Sequence, residues 1–201
     1  LTIALPKGRI ADETLDRFEK AFGEKFVFED RKLILEKSGF KFLNVRNQDV
    51  PTYVMHGAAD LGVVGLDVLE EKEYDLIKLL DLKLGRCKVA FGLRAGEKLN
   101  FDKSKITIAT KHEKIAKKYF EQKAMAVEII KLYGSIELAP LVGLCDCIVD
   151  IVETGETMKQ NGLEVGPTIM ETTAHLIANK NSFYAKKDLI FDLKDKLEKF
   201  L

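Results

Sequence analysis

Along this chain, short apolar runs alternate with stretches in which apolar residues recur every three or four positions. "TIALP" reads as a buried strand stopped by Pro6, and Ile10, Leu15, Phe18 and Phe22 then fall close to helical spacing within "IADETLDRFEKAF". "KGR" links the two. "FVFED" and "RKLILEK" flank a turn region, and "KSGF" leads into "KFLNVR", a pattern that predicts a hairpin beside the first strand. "DVPTYVMHGAA" predicts a helix with Pro51 in its first turn, "DLGVVG" a buried strand and "LDVLEEKE" a further helix. The apolar stretches "DLIKLLDL" and "CKVAFGL" come next.

"RAGEKLNFDKSK" is the one long polar, glycine-containing stretch near the middle, and it places a domain crossing around residues 92–104. A second alternation follows: strand "ITIAT", helix "KHEKIAKKYFEQKA", strand "VEIIKL", loop "YGS", helix "IELAPLVGL", strand "CDCIVDIV", loop "ETGET". After "LEVGPTIMETT" come a last strand, "AHLIAN", and an amphipathic end helix, "KKDLIFDLKDKLEKFL". The pattern therefore predicts an α/β protein with mainly parallel sheets covered on both faces and two lobes, residues 1–91 with 171–201 and residues 92–170. In such an architecture the ligand belongs in a cleft at the carboxyl ends of the strands.

Composition narrows the partners. With 46% hydrophobic residues in 201, the chain can bury one or two modest cores. Lys plus Arg equals Asp plus Glu at 32 each, so no net field recruits nucleic acid or an acidic membrane, and a charged ligand must be held by a local cluster. The start lacks the basic flank, long apolar stretch and cleavage site of a signal peptide, and no window is apolar enough to span a membrane, which predicts a cytoplasmic address. Cys87, Cys145 and Cys147 are odd in number, and the last two sit one residue apart on what reads as a buried strand. They predict free thiols in a reducing compartment rather than disulfides.

The chemistry concentrates in "DIVETGETMKQNGL", which begins at Asp150. A strand, a tight loop and a short helix follow one another there, so loop N–H groups converge where a phosphate can bind. Gly155 allows positive φ and close backbone approach, and the hydroxyls of Thr154 and Thr157 add donors. Asp150 and Glu153 cannot bind phosphate; they can hold two neighbouring sugar hydroxyls, or a magnesium ion through water. Acids beside a threonine-glycine-x-threonine loop thus specify a ribose 5-phosphate, against the plainer alternative in which Gly155 serves a turn and the acids face solvent.

"DIVETGET" resembles the phosphoribosyl-pyrophosphate loop of the ATP phosphoribosyltransferase family. "ALPKGR", "RKL" at 31–33, "DVPTYVMHGAADLGVVGLDVL", "IATK" and "GSIELAPLVGL" appear in that family's order, so the resemblance spans nearly the whole chain. It implies two α/β lobes resembling the periplasmic-binding-protein-like (type II) fold. It also implies the first step of histidine biosynthesis: N1 of ATP attacks C1 of phosphoribosyl pyrophosphate, expelling pyrophosphate. Magnesium is the implied cofactor, carried by the substrates without direct protein ligands. The chain ends soon after its last helix and resembles the short, catalytic-only form, which implies a homodimer alone and a hetero-oligomer with a regulatory subunit related to histidyl-tRNA synthetase.

Adenine N1 already offers a lone pair, so the lack of a Ser/His/Asp or Cys/His constellation is expected. The task left is to stabilise an oxocarbenium-like carbon and a departing pyrophosphate, which calls for fixed positive charge. Arg9 and Arg31 match family positions with that role, although Asp30 stands before Arg31 where the family has a small neutral residue. Lys7 and Gly8 are placed on the triphosphate or pyrophosphate; Asp67 is placed either near the adenine or as a helix N-cap; Tyr53 either lines the nucleotide site or packs. Lys111 and Ser135 are placed on the pyrophosphate, Glu156 within the loop, and Glu137 in the first turn of a helix. His56, His112 and His175 have no partners at metal-ligand spacing and read as structural or exposed. Two rival readings stand beside this one, a two-lobed solute-binding protein and a phosphoribosyltransferase of the single-lobed fold.

Overall fold

Phenylalanines at 18, 22, 26, 40 and 42 converge, with the Phe18 ring 5.0 to 6.0 Å from the other four. Three of these contacts are edge-to-face, the arrangement that sets the positive rim of one ring against the negative face of another. Around them closes the first of two compact units in the computed structural model, Leu1–Arg86 with Thr173–Leu201; the second is Cys87–Thr172. The structure describes residues 1–100 and 102–201, so Phe101, within the polar stretch read as the domain crossing, lies outside the described residues.

In the first unit, β1 (Thr2–Pro6) runs parallel to β3 (Phe40–Val45) on one side and to β4 (Leu61–Gly65) on the other. β2 (Ile34–Lys37) joins β3 as the antiparallel hairpin that the sequence predicts, and β9 (Leu163–Ala178) lies antiparallel to β4. Helix α1 (Arg9–Phe22) buries Ala11, Thr14, Leu15 and Phe18, the face set by its three-four spacing, and stops at Gly23, whose φ of 70° lets its N–H cap the Glu19 carbonyl. Ile190, Leu193 and Leu197 of α8 (Lys187–Glu198) enter the same core. Each such fully buried side chain contributes about 1.5–3 kcal/mol.

Helix α2 (Val50–Met55), with proline in its first turn, lies on β4 at a distance that Gly62 sets. A Cβ there would stand 2.7 Å from Val54 and 2.8 Å from Val50. Helix α3 (Leu66–Lys72) follows β4 directly. Asp60, just before β4, accepts from the Thr2 N–H at 2.9 Å, the Ser182 hydroxyl at 2.8 Å and the Lys186 ammonium at 2.8 Å. It thereby ties α7 (Lys180–Ala185) and the start of α8 to β1.

In the second unit, the order is β5-β8-β6-β7, built from β5 (Ile77–Arg94), β6 (Ile106–Thr110), β7 (Val127–Lys131) and β8 (Cys147–Val152). β6 is parallel to both its neighbours and β8 antiparallel to β5. Period-two alternation sorts the side chains: Val89, Phe91, Ile108 and Val149 face one core with Ile115 and Phe120 of α4 (Glu113–Glu121). Ala90, Ala109 and Ile148 face another, with Ala139 of α5 (Leu138–Leu141) and Met158 of α6 (Glu156–Gln160).

Several expectations change. "DLIKLLDL" and "CKVAFGL" belong to one strand, β5, in which Lys83 and Gly85 take φ of 56° and 57°. "LEVGPTIMETT" and "AHLIAN" likewise form the single strand β9, and the chain passes between units inside these two strands. Because both long strands pair antiparallel, the sheet is mixed rather than mainly parallel. The helix expected over "IELAPLVGL" is a single turn, and α7 was not foreseen. Cys145 is buried but precedes β8, so it does not share a strand face with Cys147; no disulfide joins any of the three cysteines. Among the described residues, no helix is long and apolar enough to cross a membrane.

Candidate active site

The strand β8 delivers Asp150 to its position opposite Ala90 of β5, and the chain leaves the sheet two residues later through Glu153, Thr154 and Gly155. Gly155 caps α6 at its N-terminus with φ 82°, and a Cβ there would stand 2.8 Å from Val165 Cγ2. Two separate constraints thus ask for glycine: left-handed backbone and lack of space. The Thr154 hydroxyl accepts the Glu156 N–H at 3.3 Å, tightening the turn. Because α6 has only five residues, its summed dipole is small, and an anion here would have to be held by the loop N–H groups themselves.

Asp150, Glu153, Thr154, Gly155 and Thr157 line one cavity of about 310 Å³, together with Cys87, Glu137, Ile151, Val152 and Met158. The volume is that of a small-molecule site, which runs to roughly 300–1,000 Å³. The lining combines carboxylates and hydroxyls with the apolar Ile151, Val152 and Met158, a mixture that suits a sugar.

Asp150 is the electrostatic centre of this wall. Burial by itself would raise its carboxyl, but the His112 imidazole, the Lys111 ammonium and the Ile151 N–H outweigh burial and hold it below the usual carboxylate range. Lys111 Nζ stands 3.1 Å from Asp150 Oδ1, and His112 Nε2 stands 3.7 Å from the same oxygen. Both residues follow directly on β6, which runs beside β8 with Thr110 opposite Val149, so the parallel register itself sets them next to Asp150.

The remaining residues fall as follows. Ser135, in the loop after β7, holds φ at 48°, a strained value for serine, and its carbonyl accepts the Leu138 N–H. Glu137 is the N-cap of α5 rather than a first-turn residue, and lines the cavity. Glu156 opens α6 and is not among the lining residues. In the first unit, Lys7 and Gly8 form the turn between β1 and α1, Gly8 with φ 99°, and Arg9 begins α1 with its Nε 3.7 Å from Glu13. Arg31 lies in an exposed turn that starts at Asp30, whose φ is 33°, three residues short of β2. Tyr53 is exposed on α2. Asp67 is buried in the first turn of α3, but Gly65 holds the N-cap, so the capping alternative for Asp67 does not hold.

Two residues escape the sequence reading, Cys87 in the cavity lining and His112 beside Asp150. Cys87 carries no chemical signal in its neighbourhood. His112, read as structural or exposed, is buried and points at Asp150, a placement legible only once β6 and β8 are paired. Among the described residues there is no group of three or more His, Cys, Asp or Glu that could cage a metal ion.

The family model for ATP phosphoribosyltransferase matches residues 46–199. The chain is 67% identical to the ATP phosphoribosyltransferase of Wolinella succinogenes over 199 residues, covering 99% of this chain and 97% of the relative. Among solved structures it is similar to a chain of the ATP phosphoribosyl transferase (HisG:HisZ) complex from Thermotoga maritima, with 36% identity, a TM-score of 0.84 and coverage of 99% and 97%. The substrate-binding protein of an amino acid ABC transporter also superposes, with a TM-score of 0.62 at 12% identity over 98% and 91% of the two chains, a likeness of fold alone.

Proposed function

The chain belongs to the ATP phosphoribosyltransferase family, pentosyltransferases of the first step of histidine biosynthesis, and we propose that it builds its sugar site from the β8–α6 loop. The substrates are phosphoribosyl pyrophosphate and ATP. The observation that carries the assignment is the single cavity lined by Asp150, Glu153, Thr154, Gly155 and Thr157. The loop N–H groups with the Thr154 and Thr157 hydroxyls take the 5-phosphate, and the two carboxylates accept from the ribose hydroxyls.

In the reaction, the N1 lone pair of adenine forms the new bond to C1 as the bond from C1 to the pyrophosphate oxygen breaks, and that electron pair leaves with pyrophosphate. No side chain has to remove a proton to create the nucleophile. Arg9 and Arg31 are assigned to the charge that grows on the leaving group, since an arginine stays charged and forks onto phosphate oxygens. Lys111 and Ser135 are assigned to the pyrophosphate, and Lys7, Gly8, Tyr53 and Asp67 to ATP. A magnesium ion carried in on the substrate phosphates would offset the charge on the departing pyrophosphate, with Asp150 and Glu153 able to reach it through water.

For assembly, we assign the chain to a complex with a second, regulatory polypeptide related to histidyl-tRNA synthetase. The support is its coverage of nearly the whole Thermotoga maritima chain, which was solved in a two-protein complex. The activity is tested by incubating the purified chain with ATP, phosphoribosyl pyrophosphate and magnesium and following the ultraviolet change of an N1-substituted adenine. Binding of phosphoribosyl pyrophosphate without any such change in the presence of ATP would favour a pure binding protein.

A further inference from the structure

The hydroxyl of Thr110, at the end of β6, donates to the Val149 carbonyl at 2.6 Å and accepts the His112 backbone N–H at 2.9 Å. These two bonds, both buried, fix the path by which the chain leaves the strand and turn His112 toward β8. His112 is 1% exposed, and its Nε2 lies 3.7 Å from Asp150 Oδ1. Among the described residues, neither atom has a hydrogen-bond partner. Lys111 pairs with that oxygen by charge at 3.1 Å, off the line of a hydrogen bond, and keeps 39% of its side chain exposed.

Buried polar atoms are nearly always hydrogen-bonded, and an orphan lowers stability. Two orphans of complementary chemistry that face each other therefore ask for a use other than holding the fold. A carboxylate that accepts from sugar hydroxyls needs its plane fixed from behind, and the residue that fixes it must itself be locked. A long, exposed lysine side chain cannot do this; a buried imidazole with two torsions can. Reaching the usual N–H to oxygen length of about 2.9 Å takes a shift of roughly 0.8 Å from the present 3.7 Å, a displacement on the scale of a side-chain rotation.

We propose that His112 is the positioning residue for the ribose of phosphoribosyl pyrophosphate: Nε2 donates to Asp150 Oδ1 and aims the carboxylate at the sugar hydroxyls. Lys111 is then the exchangeable partner of Asp150, released to substrate phosphate while His112 stays. The proposal rests on the assignment of the sugar to the β8–α6 loop.

The test uses the full chain, with phosphoribosyl pyrophosphate and ATP measured separately. His112→Phe, which keeps a ring but loses the donor, is expected to weaken phosphoribosyl pyrophosphate binding by about ten- to a hundredfold, the loss typical of one hydrogen bond to a charged group, and to leave the KM for ATP within about twofold. His112→Gln restores a donor and recovers most of the loss. Combined with Asp150→Asn, His112→Phe adds little, because the second change acts through the first. His112→Leu, of different shape, repeats the reading independently of how Phe packs. Unchanged phosphoribosyl pyrophosphate affinity in His112→Phe and His112→Leu overturns the proposal, as does an equal loss toward both substrates that Gln does not recover. If Asp150→Asn alone leaves the affinity unchanged, it is the placement of the ribose that fails.

Discussion

A β-carbon on Gly155 would come within 2.8 Å of Val165 Cγ2, across the turn that carries the proposed phosphate loop. Substitution therefore meets both a contact shorter than packed carbons tolerate and a φ of 82°, which costs an L-residue about 1–2 kcal/mol. Gly155→Val is expected to displace the loop N–H groups and weaken phosphoribosyl pyrophosphate binding, while the circular dichroism of the unit's strands and helices stays native. Adding Val165→Ala should return only the part due to the contact. Calorimetric titration reads it; native affinity in a folded Gly155→Val chain would remove the loop from the sugar site.

Asp81 supplies a pH dependence of stability with a definite sign. Burial would raise its carboxyl, but the Lys83 ammonium and N–H, the Thr173 hydroxyl and the His175 imidazole outweigh it and bring it from 3.8 to about 2. The unfolded chain thus binds this proton more readily, so the stabilisation is complete above the unfolded value and is lost as pH falls from 3.8 toward 2. Since Lys83 is largely exposed, the effect is modest. Wild type should lose more of its urea midpoint between about pH 5 and pH 3 than Asp81→Asn does. Parallel losses in the two proteins would show that the Asp81 pair contributes nothing in solution.

The same stretch shows why parts of the fold were hidden in the sequence. Ile10, Leu15 and Phe18 repeat at helical spacing because α1 buries one face, and "DLGVVG" is uniformly apolar because both faces of β4 are covered; both were legible. In β5, by contrast, Asp81, Lys83 and Arg86 interrupt the apolar pattern, and the two positive φ values between them have no counterpart in hydropathy. What makes one strand of it is pairing with distant segments. The loop from Asp150 to Thr157 was legible for the opposite reason, since its chemistry lies in contiguous residues. His112 was not, because its neighbour Asp150 is brought to it only by the parallel register of Thr110 and Val149.

Asp60 is expected to act on stability and not on chemistry. Three donors, from β1, α7 and the Lys186 junction between α7 and α8, converge on its buried carboxylate, and the Lys186 ammonium, the Thr2 N–H and the Ser182 hydroxyl outweigh the effect of burial to hold it below the usual carboxylate range. Asp60→Ala would leave the Thr2 N–H and the Ser182 hydroxyl without their acceptor, at a cost of about 2 kcal/mol, with Lys186 partly able to turn to solvent. Urea denaturation should show a lowered midpoint, with KM values for both substrates unchanged in the folded fraction. A stability within a few tenths of a kcal/mol of wild type would mean that the three contacts form no lock.

If regulation resides on a second polypeptide, histidine can act on this chain only through a difference in affinity between states, and that difference requires the partner. The isolated chain is expected to turn over at the same rate with and without histidine, and to become both faster and histidine-sensitive when the partner is added. Histidine inhibition of the isolated chain that is non-competitive with both substrates would place a regulatory site within these 201 residues.

The arginines separate transition-state stabilisation from simple binding. Charge on the leaving pyrophosphate grows as the bond to C1 breaks, so a fixed cation that meets it is worth more at the transition state than in the substrate complex. Arg9→Ala and Arg31→Ala are each expected to lower kcat by about 10²- to 10³-fold, the range for loss of one preorganised donor, with much smaller changes in KM. Lysine should restore little at either position, because an ammonium cannot fork onto two phosphate oxygens. Asp30 adds a second comparison: it precedes Arg31 at a φ of 33°, so Asp30→Gly removes both a neighbouring negative charge and the backbone strain, and kcat should hold or rise. Should both alanine variants keep near-wild-type kcat and differ only in KM, Arg9 and Arg31 would be substrate-binding residues, and stabilisation of the leaving group would have to come from elsewhere in the chain.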